Sequence, residues 1–180
     1  MKTFVLSGLL LSFLLISCKD DKPTEEVVAN KDEAKPFTVT VNAVVKKDDI
    51  FQIFYNEDGS DTFPPENAIT INVKGSENPQ DLVFSFPQDV LPYSLRFDLG
   101  GNDKQEEVKI NKFEVDYLKK SIVVKDTIFR YYFYPNEHIK YDVKTAIAKP
   151  NPTGETPYDP IFMSTNDFKK ELKTFLEKSN

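Results

Sequence analysis

Arg96 and Asp98 stand two apart in "SLRFDLGGND" (residues 94–103). In an extended strand, residues i and i+2 project to the same side. A guanidinium fork and a carboxylate would therefore sit side by side, with Leu95, Phe97 and Leu99 turned into the core. Such a pair can clamp a ligand's hydroxyl groups, or it can close on itself as an ion pair at a strand end. A second set lies in "TIFRYYFY" (127–134). Read as a strand, Ile128, Arg130, Tyr132 and Tyr134 share one side, and Phe129, Tyr131 and Phe133 the other. Arg130 is costly to bury alone, so Tyr132 and Tyr134 are expected to face outward with it. Tyrosine rings beside a guanidinium suit stacking on a sugar's apolar face or on a partner's side chains, although cross-strand pairing alone also favours tyrosine. A third set is the loop "NEDGSDTFPPEN" (56–67), where Asp58, Ser60 and Asp61 offer oxygens around Gly59. Calcium takes roughly six to eight such ligands. No glutamate closes the loop at its twelfth place, so a solvated hairpin loop competes with the cation site.

Catalysis finds little support among these residues. Triad chemistry needs a histidine beside a nucleophile, and the only histidine, His138 in "YPNEHIKYD", is flanked by charged residues and expected in an exposed loop. Zinc sites lack their His and Cys ligands. Spacing alone cannot select a glycosidase-type carboxylate pair from 29 acids. Binding without catalysis is the expectation.

The single cysteine, Cys18, follows a 13-residue, mostly apolar run from Phe4 to Ile16. A membrane-spanning helix needs about 20 apolar residues to cross roughly 30 Å of hydrocarbon, so the run reads as a secretory leader. Leu15-Ile16-Ser17-Cys18 resembles a bacterial lipobox. The resemblance implies that the leader (1–17) is removed and that Cys18 carries a diacylglycerol and an N-terminal acyl chain, which together hold a membrane far more firmly than one chain does. Lys19-Asp20-Asp21 resembles the export signal of Bacteroidetes-type surface lipoproteins. That implies a protein anchored in the outer membrane and facing the cell exterior, with a periplasm-facing anchor as the alternative. Residues 18–35 are rich in Lys, Asp, Glu and Pro and read as a lipidated tether that does not fold.

The elements that must position these side chains are mostly strands. The chain has 180 residues, enough for one cored domain. Its formal charge of −6, from 29 acids and 23 bases, leaves no basic stripe for nucleic acid. Phe37, Val39, Val41, Ala43 and Val45 alternate with mostly polar residues, and the same parity recurs in Phe51-Ile53-Tyr55, Ile69-Ile71-Val73, Leu82-Phe84-Phe86 and Leu95-Phe97-Leu99. Turn residues separate these runs, as in Asp58-Gly59-Ser60 and Gly100-Gly101-Asn102. Val108 and Ile110 are on even positions but Phe113, Val115 and Tyr117 on odd ones, which predicts a β-bulge or bend near Asn111-Lys112. The pattern predicts a mainly β chain, an antiparallel sandwich over 36–148. Residues 149–160 hold four prolines and read as a connector. After it, Phe168, Leu172, Phe175 and Leu176 mark one short C-terminal amphipathic helix, so that 149–180 is connector plus helix.

"DDIFQIFYNEDGSDTF", "DLVFSFP", "SLRFDLGGND" and "VKINKFEV", within residues 37–117, resemble the jelly-roll, galactose-binding-like modules of sugar-active envelope proteins. The resemblance implies a jelly-roll-like sandwich, a possible structural calcium and a glycan ligand. Glycan platforms usually lean on tryptophan, and this chain has none, although it has eight Tyr and 15 Phe. The alternative is a structural or assembly subunit whose partner is another envelope protein.

Overall fold

The computed structural model describes residues 36–154 and 157–179. The leader, the tether and the proposed address residues Cys18, Lys19, Asp20 and Asp21 lie outside the described residues. Alternation of apolar and polar side chains builds most of the strands. In Thr38–Val44 (β1), Val39, Val41 and Ala43 are fully buried and the residues between them are half exposed. A strand so patterned is driven to sheet by burial of one face.

Two antiparallel sheets form and pack as a sandwich. One runs Gln80–Ser85 (β4), β1, Val108–Tyr117 (β6), Ile147–Pro150 (β10), Ile139–Asp142 (β9), with Lys120–Lys125 (β7) also paired to β6. The other runs Ala68–Val73 (β3), Asp49–Asn56 (β2), Ser94–Asp98 (β5), Ile161–Ser164 (β11), Phe133–Pro135 (β8). Phenylalanine fills the space between them. The rings of Phe84, Phe97 and Phe113 follow one another at 6.2 Å, and Phe113 meets Phe133 at 4.7 Å. Such offset and edge contacts add to a core already rich in apolar area.

The parity change in β6 is a bulge. Asn42 of β1 faces Lys112, and the next residue, Ala43, faces Ile110, so Asn111 is the extra residue. Its side chain donates to Asn42 Oδ1 at 2.9 Å. Ile110 and Phe113 are thereby both buried, although they lie three apart. The β6–β7 turn is Leu118-Lys119, both at positive φ (46° and 65°), the backbone that a two-residue hairpin requires.

Three expectations are corrected. Residues 127–134 are not a strand: Asp126–Tyr132 is a helix (α1), and β8 begins only at Phe133. Phe129 and Phe133 are fully buried as expected, but Tyr131 is 59% exposed while Tyr132 is half-buried, the reverse of the strand pattern. Arg130, Tyr132 and Tyr134 therefore do not share one strand face. Nor does the sandwich end at residue 148, because β11 lies beyond the Pro-rich connector and pairs with both β5 and β8. Its four residues, "IFMS", are too short to show a period. His138 is buried, not exposed, under the connector.

The C-terminal helix, Asn166–Ser179 (α2), forms as its pattern predicts. Thr165 Oγ1 accepts the Phe168 N–H at 3.3 Å, satisfying one donor of the first turn. Phe168, Leu172 and Leu176 are buried, and the Phe168 ring packs on Phe113, Tyr132 and Phe133. The stripe is docked on its own sandwich.

Candidate functional site

β5 lies between β2 and β11, and its register fixes what stands beside Arg96 and Asp98. Phe54, Arg96, Met163 and Tyr134 are directly opposite one another across β2, β5, β11 and β8. Opposed residues on adjacent strands share a face. With Leu95, Phe97, Phe162 and Phe133 fully buried, this row lies on the outer face of the sheet. The next row is Gln52, Asp98 and Ile161.

Arg96 and Asp98 do project to the same side, and they hold each other. Nε donates to Asp98 Oδ1 at 2.9 Å and Nη2 to Oδ2 at 2.7 Å, a two-bond fork. Nη2 also lies 3.2 Å from Asp159 Oδ2, and the guanidinium carbon sits 4.8 Å from the centre of the Phe54 ring. The Asp98 side chain is only 7% exposed. Burial pushes its carboxyl up to about 6, against the lowering effect of Arg96, and nearby Asp159 adds to the rise.

Asp159 comes from the connector, and His138 helps to place it. The Asp159 N–H donates to His138 Nδ1 at 3.0 Å, and the Asp159 carbonyl accepts from Asn136 Nδ2 at 2.6 Å. The Leu99 N–H meets the Pro160 carbonyl at 2.9 Å. These bonds lay residues 159 and 160 against the end of β5. No local pattern marks His138 for this role, because its partner is 21 residues away.

Beside Asp98 opens a pocket of about 400 Å³, with Gln52 and Ile50 on one side and Tyr158 and Asp159 on the other. Gly100 and Gly101 line it without side chains. Gly100 has φ +83°, and any Cβ there would strike the Asp49 carboxylate, so both its conformation and its closeness demand glycine. The Tyr158 hydroxyl is pushed up to about 12, first by burial and then by Asp49 and Asp103, and so stays a neutral donor and acceptor at ordinary pH. Carboxylates, an amide, a phenol and an exposed isoleucine surround one small volume, an arrangement matched to a compact ligand with several hydroxyls and one apolar face.

The other expected sites are arranged differently. Tyr134 does reach the outer face, through β8, and stands in the row with Arg96. Arg130 and Tyr132 lie on α1, and Tyr132 packs against Phe168. In the loop after β2, Asn56 does the organising. Its side-chain amide donates to the carbonyls of Ser60 (2.7 Å) and Thr62 (3.0 Å), and its Oδ1 accepts the Gly59 N–H at 2.9 Å. Asp58 accepts the Ser60 N–H at 2.8 Å, a bond that lowers its pKa, and Asp61 pairs with Lys169 at 2.7 Å. The Asn56 amide thus holds the Ser60 and Thr62 carbonyl oxygens, and Asp58 and Asp61 engage different partners. Among the described residues, no group of three or more His, Cys, Asp or Glu side chains is placed to share a metal ion. Comparison with protein-family models, curated proteins and solved structures finds no match to this chain.

Proposed function

We propose that this chain is a lipid-anchored binding protein of the bacterial outer membrane, facing the cell exterior, which captures a glycan without transforming it. The observation that carries the ligand class is the outer row of Phe54, Arg96, Met163 and Tyr134 next to the pocket at Asp98 and Tyr158. Phe54, Met163 and Tyr134, in one row with Arg96, give a sugar an apolar surface to lie on, and the pocket offers the acceptors and donors its hydroxyls need. The anchor rests on Leu15-Ile16-Ser17-Cys18, and the outward address on Lys19-Asp20-Asp21.

A glycan array probed with residues 19–180 tests the ligand class. A hit that weakens about tenfold or more in both Tyr134→Ser and Tyr158→Phe, at unchanged melting temperature, supports the outer face as the site. Hits indifferent to both changes would move the site elsewhere, and an empty array would leave the protein-partner alternative in possession. The anchor is tested separately. Cys18→Ala should abolish labelling by a fatty-acid analogue and release the protein from the outer membrane. Replacing Lys19, Asp20 and Asp21 by alanine should hide it from external protease.

A further inference from the structure

The pocket beside Asp98 carries a charge imbalance that narrows its ligand. Of the described residues that line it, Asp98 and Asp159 are acids and none is a base. Arg96, in the neighbouring row, is already divided. Its fork holds both oxygens of Asp98, and Nη2 also reaches Asp159 Oδ2 at 3.2 Å. One guanidinium thus faces two carboxylates. Behind them stand two more acids. The Asp49 carboxylate lies against Gly100, one of the two glycines in the lining. It accepts the Ile50 N–H at 2.9 Å and the Gln105 side-chain amide at 3.1 Å, neutral donors that bind it without cancelling its charge. Asp49 and Asp103 both help to raise the Tyr158 hydroxyl, so their charge is felt at the pocket wall.

The lysines of the adjoining loops do not restore the balance. Lys46 and Lys47 both pair with Glu106 at 3.6 Å, Lys47 Nζ donates to the Lys104 carbonyl at 2.8 Å, and Lys74 pairs with Asp48 at 2.5 Å. Lys104 follows Asp103 in the chain and is exposed, but it does not line the pocket. A cavity walled by one sign of charge concentrates the opposite sign, and attraction inside it is stronger than in open water. A carboxylate entering here would meet Asp98 and Asp159 with no unshared cation to receive it. Ile50, 51% exposed, gives a ring an apolar wall, while Gln52 and Tyr158 can bond its hydroxyls. We infer that the pocket at Asp98, Tyr158 and Asp159 takes a saccharide bearing a free amino group, its ammonium facing Asp159 and Asp98, and turns acidic saccharides away. This rests on the glycan reading above and goes beyond it by fixing the charge of the ligand.

The test uses the ¹⁵N-labelled full chain in a detergent without a sugar headgroup, at pH 7, above the Asp98 value of about 6. It is titrated with glucosamine, galactosamine and mannosamine, each beside its parent hexose, its N-acetyl form and its uronic acid. At least one amino sugar should shift the Ile50, Gly100 and Gly101 amides and bind at least about tenfold tighter than its neutral and acidic counterparts. Asp159→Asn, at a side chain 56% exposed, should erase most of that advantage while leaving the melting temperature unchanged. A hexose, N-acetyl sugar or uronic acid that binds these amides as tightly as the amine overturns the inference and leaves the glycan reading standing. Amino-sugar binding indifferent to Asp159→Asn overturns it as well. Nα-acetyl-lysinamide, an ammonium without the ring, is the control. If it moves the same amides as strongly as the amino sugars do, or if no sugar moves them, the glycan reading itself falls and this inference with it.

Discussion

Residues 94–99 and 127–134 both place apolar residues at alternate positions with an arginine between them, yet one is a strand and the other a helix that turns into a strand. In the first, the period of two is the only one that fits: Leu95, Phe97 and Leu99 all face the core. In the second, Phe129 and Phe133 lie four apart, and four is both two strand repeats and about one helical turn. Both readings bury the same two rings. They differ only at the residue between, where a strand buries Tyr131 and a helix buries Tyr132. The structure half-buries Tyr132 and leaves Tyr131 exposed.

The largest effect that would sharpen this contrast is at Phe129. It is fully buried, stacked on Phe133 at 4.9 Å and set edge-on to Phe162 at 5.1 Å. Phe129→Ala should cost about 3 to 5 kcal/mol in urea unfolding. A cost under about 1 kcal/mol would mean that α1 does not close the core.

The second effect belongs to β5 and is read by pH. The Asp98 carboxyl is raised to about 6 when folded, above its ordinary 3.8. Between these values the unfolded chain has lost the proton and the folded chain keeps it, so stability falls as pH rises. The contribution is fully present below about pH 4 and lost by about pH 6 to 7, on the order of 2 to 3 kcal/mol. Asp98→Asn should flatten this part of the profile. An unchanged slope would show that Asp98 does not titrate there.

A smaller loss is expected for Arg96→Lys, which keeps the charge and gives up the two-bond fork to Asp98. About 1 kcal/mol is the expected cost, measured at pH 7. The smallest effect returns to the contested residue. Tyr131→Ser should move stability by no more than about 0.5 kcal/mol, because its ring is exposed. A loss comparable to that of Phe129→Ala would restore the strand.

Where burial follows a single period, as in β1, β2, β4 and β5, the strands and their inward faces were legible in the chain. The parity change at Asn111 was legible too, because a bulge is the only economical way to keep Ile110 and Phe113 in one core. Two kinds of feature were not. α1 hid behind a spacing common to helix and strand, and β11 is too short to show a period. The site was half legible: Arg96 and Asp98 share a face as their spacing requires. Asp159, Tyr158 and His138 join them only because the connector folds back across β5, which is information held in distant hydrogen bonds.

The entry of the chain into the sandwich has a mechanical consequence. The described chain begins at Pro36 and passes directly into β1, which is not an edge strand but lies between β4 and β6, paired to both. Tension applied ahead of Pro36 along this strand meets two ladders at once and loads their bonds in shear, all sharing the force. Tension on an edge strand pulled crosswise would open one bond after another, as a zipper does. A pull at this end of the domain is thus resisted by two ladders rather than one.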